Sequence, residues 1–359
     1  MSVARVARRW MLRPASWIYG AGVVAVRAVR TRGGAARRLP IPVVSVGNLT
    51  VGGTGKGPLV RWIAEALRAE GRRPAIALRG YRAGPAGSDE ALEHRALLPE
   101  VPVAVGADRA ASIEAARERD PSIDVAILDD GFQHWRLARQ LDLVLVDATN
   151  PGLDEPMLPA GSRREPLGAL RRADAVIVTR AAALDAALSR RISKWHGREP
   201  IAWCRHAWID LMVTEIGAGA PAPRPEPRSW LDSRRVGVLA GVGNPDSLLA
   251  QVRERAPAAR WLRRLPDHAS IDSASLRSWI EEAIERGDDA ILCTMKDWVK
   301  IEPLLPSIAT APPSGSDRGG ASPGLGRRRI PIVVPRLSID FVAGESALRD
   351  RLRALGSVD

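Results

Sequence analysis

The chain has 359 residues, of which 45% are hydrophobic and 26% are charged, so it is long enough for two ordinary domains with a core in each. This composition excludes a disordered tail protein. The formal net charge of +12 is compatible with nucleic acid, an anionic membrane surface or a phosphorylated substrate as partner, and composition alone does not choose among them.

The positive charge comes almost entirely from arginine. Among the 53 basic residues the only lysines are Lys56, Lys194, Lys296 and Lys300. A lysine is therefore a notable choice at any position of this chain. The two cysteines lie far apart in the sequence, which argues against a disulfide framework or a structural zinc site and favours a reducing compartment.

Residues 1–36 form a basic segment of their own, without any acidic side chain. Its apolar stretch, from Pro14 to Val26, is shorter than the roughly 20 residues that a membrane-spanning helix needs. We expect an amphipathic helix that lies in the membrane interface, with Trp17 and Tyr19 at headgroup depth and arginines against anionic lipid. An ordinary surface helix that packs on the neighbouring domain is the alternative.

Apolar, β-branched runs alternate with helical stretches after this segment. The helical stretches lie at 57–71 and 109–118, and this alternation predicts a mostly parallel sheet with helices on both faces. The runs that predict strands span residues 39–48, 74–80, 102–106, 124–130, 141–148 and 173–180.

The same pattern divides the chain into domains. Residues 37–216 are predicted to form the larger α/β domain, and the proline-rich passage at 217–230 is typical of a linker. Beyond the linker the alternation resumes, so residues 231–359 predict a smaller C-terminal α/β domain. Within it, residues 310–329 have the glycine, proline and serine bias of a flexible loop.

A glycine-rich turn follows the first predicted strand and precedes a helix. In such a turn backbone N–H groups point at phosphate oxygens, and Lys56 reaches the β- and γ-phosphates of a nucleotide. The pattern is incomplete, because Thr50 stands where a glycine usually begins it and Gly57 stands where a hydroxyl ligates Mg²⁺. A purely structural glycine turn is the alternative. The predicted ATP-binding residues are Thr50, Val51, Gly52, Gly53, Thr54, Gly55, Lys56 and Gly57.

A second candidate element is the acidic pair Asp129 and Asp130, directly after an apolar strand. This is the place of a magnesium-organising carboxylate in a nucleotide-hydrolysing parallel sheet. Adjacent residues of a strand point in opposite directions, so one carboxylate can face a metal while the other orients a loop. A simple turn built on Asp-Asp-Gly is the alternative, and the glycine-rich turn makes it less attractive.

The chain resembles a known family, the tetraacyldisaccharide 4′-kinases, which phosphorylate the 4′ position of a lipid A disaccharide precursor at the inner membrane. The resemblance covers nearly the whole chain, and the family's own loop also lacks the first glycine. The motifs that carry it are RPASWIYG, VVSVGNLTVGGTGK, LRGY, GSDE, VGADR, DDGFQHWRLARQLDLVLVD, LPAGSRREPLGALRRADAVIVTR, AGVGNP, LPDH and TMKD, in this order.

The resemblance implies a P-loop kinase domain over residues 37–216, ATP and Mg²⁺ as cofactors, and an acylated disaccharide 1-phosphate as substrate. It also implies a location at the cytoplasmic face of the inner membrane, held by the N-terminal segment against an anionic surface. We expect no nucleic-acid partner, since no basic patch with interleaved aromatic residues is present, and no obligate protein partner is evident.

The resemblance also implies roles for single residues. Asp89 corresponds to the catalytic base and His268 to its hydrogen-bonded partner across an interdomain cleft, whereas the residues alone would make Asp89 a helix N-cap and His268 a turn residue. Lys56 would sit on the transferring phosphate. The remaining expected site residues are Asp129, Asp130 and Glu165 for the metal, with Gln133, His134 and Arg164 as further active-site residues.

Three positions depart from the family. Gly57 replaces a threonine, Met295 replaces a glutamate and Ala269 replaces a second histidine after His268. Gly57 removes a hydroxyl that ligates Mg²⁺, so we expect a weakened metal site, not an abolished one, because backbone N–H groups and Lys56 do most of the phosphate binding. Two other functions remain open: a non-catalytic descendant that binds lipid or nucleotide, and a P-loop NTPase that serves nucleic acid.

Overall fold

The computed structural model describes residues 11–32, 36–80, 87–216, 222–241, 245–259, 261–266, 270–310 and 330–356. The chain divides into two compact units, which are described in turn. The first unit contains Met1–Tyr81, Leu97–Ala207 and Ile339–Asp359, and the second contains Arg82–Ala96 and Trp208–Ser338. His268, Ala269 and all but the first residue of the predicted loop 310–329 lie outside the described residues.

The first unit is built on a parallel sheet with the strand order β7-β6-β5-β1-β4-β2-β3. Its pairs between successive neighbours are all parallel, as the near-continuous apolar runs predict. The strands are β1 (Val43–Asn48), β2 (Pro74–Leu78), β3 (Val103–Val105), β4 (Val125–Asp129), β5 (Leu141–Asp147), β6 (Ala175–Thr179) and β7 (Ala202–Thr214), of which the last continues into the second unit.

Helices of the first unit contribute to two buried clusters against this sheet. One cluster includes Ile113 and Ala116 of a helix together with β2 and β4 residues, and the other includes Leu188 and Ile192 of another helix with β5 and β6 residues. The helices are α1 (Arg13–Arg32), α2 (Lys56–Ala69), α4 (Arg109–Arg119) and α5 (Ala186–His196), with a 3₁₀ helix at Leu167–Arg172. This arrangement confirms the predicted mostly parallel α/β class.

The second unit contains a smaller parallel set of strands in the order β10-β9-β11-β12. Its core is formed by Trp208, Leu211, Leu231, Val236 and other buried residues. The elements are α3 (Asp89–Leu97, whose last residue belongs to the first unit), β8 (Arg224–Glu226), β9 (Val236–Ala240), α6 (Pro245–Arg255), β10 (Trp261–Arg264), α7 (Ser273–Glu285), β11 (Ala290–Cys293), α8 (Met295–Ile301), α9 (Leu305–Thr310) and β12 (Ile332–Ala343, which continues into the first unit from Ile339).

The unit boundaries differ from the predicted domain boundaries. Residues 339–359, expected in the C-terminal domain, belong to the first unit, where the tilted rings of Phe341 and Trp62 have centroids 4.8 Å apart and Arg353 pairs with Glu70 at 2.8 Å. The closing helix, α10 (Glu345–Arg353), lies in this part of the chain, as the charged sequence predicts. Segment 82–96, expected in the kinase domain, belongs to the second unit.

The predicted linker 217–230 is partly regular structure. Within it β8 pairs antiparallel with β7, and a 3₁₀ helix at Arg228–Leu231 buries Leu231 completely. Proline-rich sequence predicted a connection there, but Pro225 lies in a short strand and Pro227 precedes the 3₁₀ turn, where a fixed φ is tolerated.

The N-terminal helix α1 packs on the first unit through small residues. Ser16 is 4% exposed, its Oγ donates to Met157 O at 2.9 Å, and it accepts from Ala160 N at 3.1 Å. Gly20, on the same face, lies against the Met157 side chain. Among the described residues, no helix combines the length and the apolar character that crossing a bilayer requires.

Candidate active site

The turn between β1 and α2 has the backbone of an anion-binding loop. Gly52 and Gly55 adopt positive φ values of 108° and 82°, which side chains rarely allow. Gly55 is the N-cap of α2 and has no side chain to satisfy the first N–H groups of the helix. A Cβ built on Gly52 or Gly53 would meet no atom within 4 Å. The helix N-terminus therefore offers donors and partial positive charge to a phosphate.

Contacts from other strands and loops hold this turn in place. Val51 N donates to Ser162 O at 2.7 Å, and Arg164 N donates to Leu49 O at 2.7 Å. The Thr179 hydroxyl, at the end of β6, donates to Thr54 O at 2.8 Å. The loop is thus pre-organised before any ligand binds, which reduces the entropy that binding costs.

Asp130 is the charged centre of the site. Arg164 donates to both of its carboxylate oxygens at 2.8 Å, and Lys56 Nζ lies 3.5 Å from Oδ1. Burial would raise the pKa of Asp130, but the Arg164 hydrogen bonds and the Lys56 charge outweigh it and hold the pKa well below its usual value. Its left-handed backbone, with φ of 56°, turns the chain directly after β4.

Asn48, the last residue of β1, joins these groups to each other. Its side-chain Oδ1 accepts from Lys56 Nζ at 3.3 Å and from Arg164. Its backbone oxygen accepts from Arg164 Nη2 at 3.1 Å and from Gln133 Nε2 at 3.0 Å. The lysine, the arginine and the glutamine expected at the site therefore share one strand end as their acceptor.

Glu165 forms an ion pair with Arg172, so its carboxylate is not available to a metal ion in this structure. Its two oxygens accept from Arg172 at 2.7 and 2.8 Å, and Oε1 also accepts from Gln133 Nε2 at 3.0 Å. The residue is 1% exposed. Its expected role as a metal ligand would require Arg172 to leave, and breaking a buried pair of this kind is costly. Arg172 also packs its guanidinium over the Phe132 ring at 3.7 Å.

The other carboxylates expected at the metal are Asp129 and Asp130 at the end of β4, and Asp130 is itself paired with Arg164 and Lys56. No group of three or more His, Cys, Asp or Glu side chains is arranged to hold a metal in the part of the chain that the structure describes. Mg²⁺ is usually held by one or two carboxylates with phosphate oxygens and waters, so this pair fits it only together with a nucleotide. Thr54 Oγ1 is buried there without a hydrogen-bond partner among the described residues.

The two histidines beside these loops are neutral at physiological pH. Burial, then the charges of Arg109 and Arg139, lower the pKa of His134 to about 4, and Arg109 Nη1 lies 3.4 Å from His134 Nδ1. Burial, then the charge of Arg180, lower the pKa of His206 to about 4. A Cβ built on Gly55 would lie 2.4 Å from His206 Nε2, so this histidine packs directly on the phosphate loop.

Asp89 lies in the second unit, at the start of α3. The Ser88 hydroxyl accepts from Ala91 N at 3.4 Å, so Ser88 occupies the cap position that the residues alone would assign to Asp89. Asp89 Oδ2 lies 2.8 Å from Lys300 Nζ and 4.0 Å from Lys296 Nζ. These contacts give the expected base two basic partners that the sequence interpretation did not include.

Comparison with known proteins identifies the family. Residues 8–312 match the family described as LpxK, tetraacyldisaccharide-1-P 4′-kinase. The chain belongs to this family. The tetraacyldisaccharide 4′-kinase of Geobacter metallireducens is 34% identical over 308 residues, covering 80% of this chain and 83% of that protein. The corresponding protein of Azoarcus sp. is 35% identical over 344 residues, covering 89% and 91%.

A solved structure supports the fold. LpxK from Aquifex aeolicus, crystallised in complex with ATP, gives a TM-score of 0.66 over 97% of this chain and 99% of that chain, at 24% identity. The family match and the named relatives confirm the family and the kinase class predicted from the motifs.

Three residues of the site were not predicted from the sequence: Asn48, Arg172 and His206. Asn48 and Arg172 lie inside quoted motifs, VGN and GALRRAD, so their motif positions were a usable signal. His206 lies in an ordinary strand sequence, and nothing there indicates that it packs on a loop some 150 positions earlier.

We predict that the imidazole protons of His134 and His206 titrate with midpoints near pH 4. Because both pKa values are depressed below the unfolded value of about 6.5, the stability that they contribute is present above pH 6.5 and is lost as pH falls toward 4. Proton NMR of the ring Cε1–H signals measures the midpoints, and His134→Gln and His206→Gln assign them. A midpoint of 6 or higher for either ring would contradict the prediction.

Proposed function

We propose that this chain transfers the γ-phosphoryl group of ATP to the 4′-hydroxyl of an acylated disaccharide 1-phosphate, giving the 1,4′-bisphosphate of lipid A biosynthesis. The observation that carries the proposal is the glycine-rich helix N-terminus with Lys56 held between Asn48 and Asp130. The family and the names of the relatives from Geobacter metallireducens and Azoarcus sp. specify the acceptor. The ATP in the Aquifex aeolicus relative supports the donor.

The phosphate loop binds and orients the donor in this proposal. The N–H groups of the first turn of α2 meet the phosphate oxygens, and Lys56 extends beside them. Asp130 and Asn48 hold the Lys56 ammonium and so restrict its side-chain rotamers before ATP binds. Lys56 therefore loses less conformational entropy when it binds phosphate. Arg164 neutralises Asp130, so that the carboxylate does not repel the incoming phosphates.

Asp89 is the proposed base. The 4′-hydroxyl oxygen forms a bond to the γ-phosphorus while the bond from that phosphorus to the bridging β,γ-oxygen breaks and ADP leaves. The hydroxyl proton passes to the Asp89 carboxylate. A positioned carboxylate contributes about 10²- to 10⁴-fold through such a transfer. Its expected partner, His268, lies outside the described residues.

Mg²⁺ is proposed as the second cofactor, with Asp129 and Asp130 as its carboxylates and the nucleotide phosphates as further ligands. When bound, the ion neutralises charge on the phosphate oxygens. Gly57 supplies no hydroxyl to it, and a Cβ built there would meet only the flexible end of Arg61, at 3.4 Å. A Cβ therefore fits at this position without displacing the backbone.

The alternative, a descendant that binds but does not phosphorylate, draws on Gly57 and Met295. Met295 is 7% exposed in the first turn of α8. Lys56, Asp89 and the pair Asp129 and Asp130 are all present in the chain, and their retention together favours the kinase.

We predict that Asp89→Asn lowers kcat by about 10²- to 10⁴-fold, because the amide cannot accept the hydroxyl proton. The measurement is transfer of ³²P from labelled ATP to a tetraacyldisaccharide 1-phosphate in detergent, with binding of a non-hydrolysable ATP analogue as the control. Binding of the analogue by the native chain without any transfer would favour the non-catalytic alternative over the kinase.

We predict that Gly57→Thr lowers the Mg²⁺ concentration for half-maximal binding of a non-hydrolysable ATP analogue by about 2- to 10-fold, the value of one added ligand or hydrogen bond. Gly57→Val is the matched control, since it has the same branched shape without the hydroxyl. The account of the weakened metal site is wrong if the threonine and valine variants require the same Mg²⁺ concentration.

We further propose that α1 binds the cytoplasmic face of the inner membrane and lies in the interface. Besides the buried Ser16, α1 leaves Trp17, Ile18 and Val29 more than 70% exposed, which is unusual for aliphatic and aromatic side chains. The N-terminal segment contains no acidic residue, and its arginines suit anionic lipid. An acylated substrate would meet the enzyme at the same surface.

We predict that Trp17→Glu together with Ile18→Glu lowers the affinity for vesicles of anionic phospholipid by at least about tenfold, because two apolar groups no longer enter the interface. Sedimentation with vesicles measures it. Leu184→Glu is the control, because Leu184 is also an exposed apolar residue of the first unit, at 61%. Equal vesicle binding by the double variant and the control would exclude α1 as the membrane contact.

A further inference from the structure

Lysine is rare enough in this chain for its placement to carry information. Arginine supplies all but four of the 53 basic residues and makes nearly all of the ion pairs among the described residues. Of the four lysines, Lys56 lies in the phosphate loop and Lys194 is exposed on α5. The other two lie on α8 and converge on a single carboxylate, Asp89.

The geometry of this contact is well defined within the second unit. Lys296 and Lys300 are four residues apart and therefore lie on one face of α8. Both ammonium groups approach the same oxygen, Asp89 Oδ2, at 4.0 and 2.8 Å. The three side chains are only 14 to 20% exposed, so solvent screens this cluster less than it screens a surface ion pair.

Contacts at its N-terminus anchor helix α8, so the backbone that carries Lys296 and Lys300 is fixed in position. Thr294 caps the helix, and its hydroxyl donates to Asp297 Oδ2 at 2.7 Å. The Asp297 carboxylate, 2% exposed, accepts from Gly241 N at 3.1 and 3.2 Å. Trp298 packs beside it and is also 2% exposed. Because α8 is anchored in this way, Lys296 and Lys300 can fix the orientation of the Asp89 carboxylate while the helix backbone stays in place.

Lysine and arginine contact a carboxylate in different ways. Arg164 spans both oxygens of Asp130, as its planar fork favours. A lysine is a compact point charge, so two of them can approach one oxygen of Asp89. These contacts at Oδ2 restrict rotation of the carboxylate about its last bond. Most ion pairs of the described residues are made by arginine, but Asp89 Oδ2 is contacted by two lysines.

We propose that Lys300, supported by Lys296, is a positioning residue that holds the Asp89 carboxylate in the orientation that accepts the proton of the acceptor hydroxyl. The inference rests on the proposed role of Asp89 as base. It assigns a function in the reaction to two lysines that otherwise would only join α3 to α8.

The test compares Lys300→Met, Lys300→Arg and Lys296→Met in the full-length enzyme. Lys300→Met is expected to lower kcat by about 10- to 100-fold, the effect of a misplaced catalytic group, while KM for ATP stays within about threefold. Lys300→Arg keeps the charge and is expected to recover part of the loss. Lys296→Met is expected to have a smaller effect, because its ammonium lies farther from the carboxylate.

Two controls separate positioning from stability. Arg336→Met breaks the ion pair of Arg336 with Asp210 in the same unit, and Lys194→Met removes a solvent-exposed lysine. Both are expected to keep the native kcat. Thermal unfolding of every variant is measured in parallel. Unchanged kcat in Lys300→Met would overturn the proposal, and so would a loss that Lys300→Arg fails to recover or that only follows the fall in melting temperature.

A double variant distinguishes this inference from the proposed function. If Lys300 acts through Asp89, adding Lys300→Met to Asp89→Asn lowers kcat by less than about threefold further, since coupled residues are not additive. Full additivity of the two losses would overturn the inference alone. Native kcat in Asp89→Asn would overturn the role of Asp89 as base, and the inference with it.

Discussion

The charge on Asp130 is the constraint around which the nucleotide site is arranged. Two cations, Lys56 and Arg164, share this carboxylate, and Asn48 holds both of them from the neighbouring strand. Each partner would be costly to leave alone in a partly buried site, so the three charges stabilise one another. The parallel pairing of β1 and β4 brings the groups together, because parallel strands end at the same edge of a sheet.

Close backbone approach at the same edge makes this network possible. A Cβ on Gly47 would lie 2.5 Å from Phe132 Cβ, so only glycine lets the loop after β4 pack on β1. Phe132 is fully buried, and Arg172 covers its ring while binding Glu165. The apolar core and the polar site therefore share their supports. A substitution in the core around Phe132 or in the polar site would therefore change the orientation of Gln133 and of the phosphate loop.

Arginine and lysine side chains are used for different purposes in this chain. Arginines make bidentate pairs that hold elements in position, as between Arg336 and Asp210 or Arg172 and Glu165. Three of the four lysines, Lys56, Lys296 and Lys300, meet a group that is proposed to react or to bind phosphate, whereas Lys194 is exposed on α5. High arginine content by itself says little about partners, and the few lysines are the more informative residues.

The sequence by itself determined the parallel α/β class, the phosphate loop, the acidic pair after β4 and the family, because periodicity, strand-to-helix turns and ordered motifs are local in the chain. The tertiary structure decided which side chains are partners. Arg172 with Glu165, His206 against Gly55, and Lys300 with Asp89 unite positions that no local pattern connects. It also decided that residues 339–359 complete the first unit, because packing of Phe341 on Trp62 is a contact between distant parts of the chain.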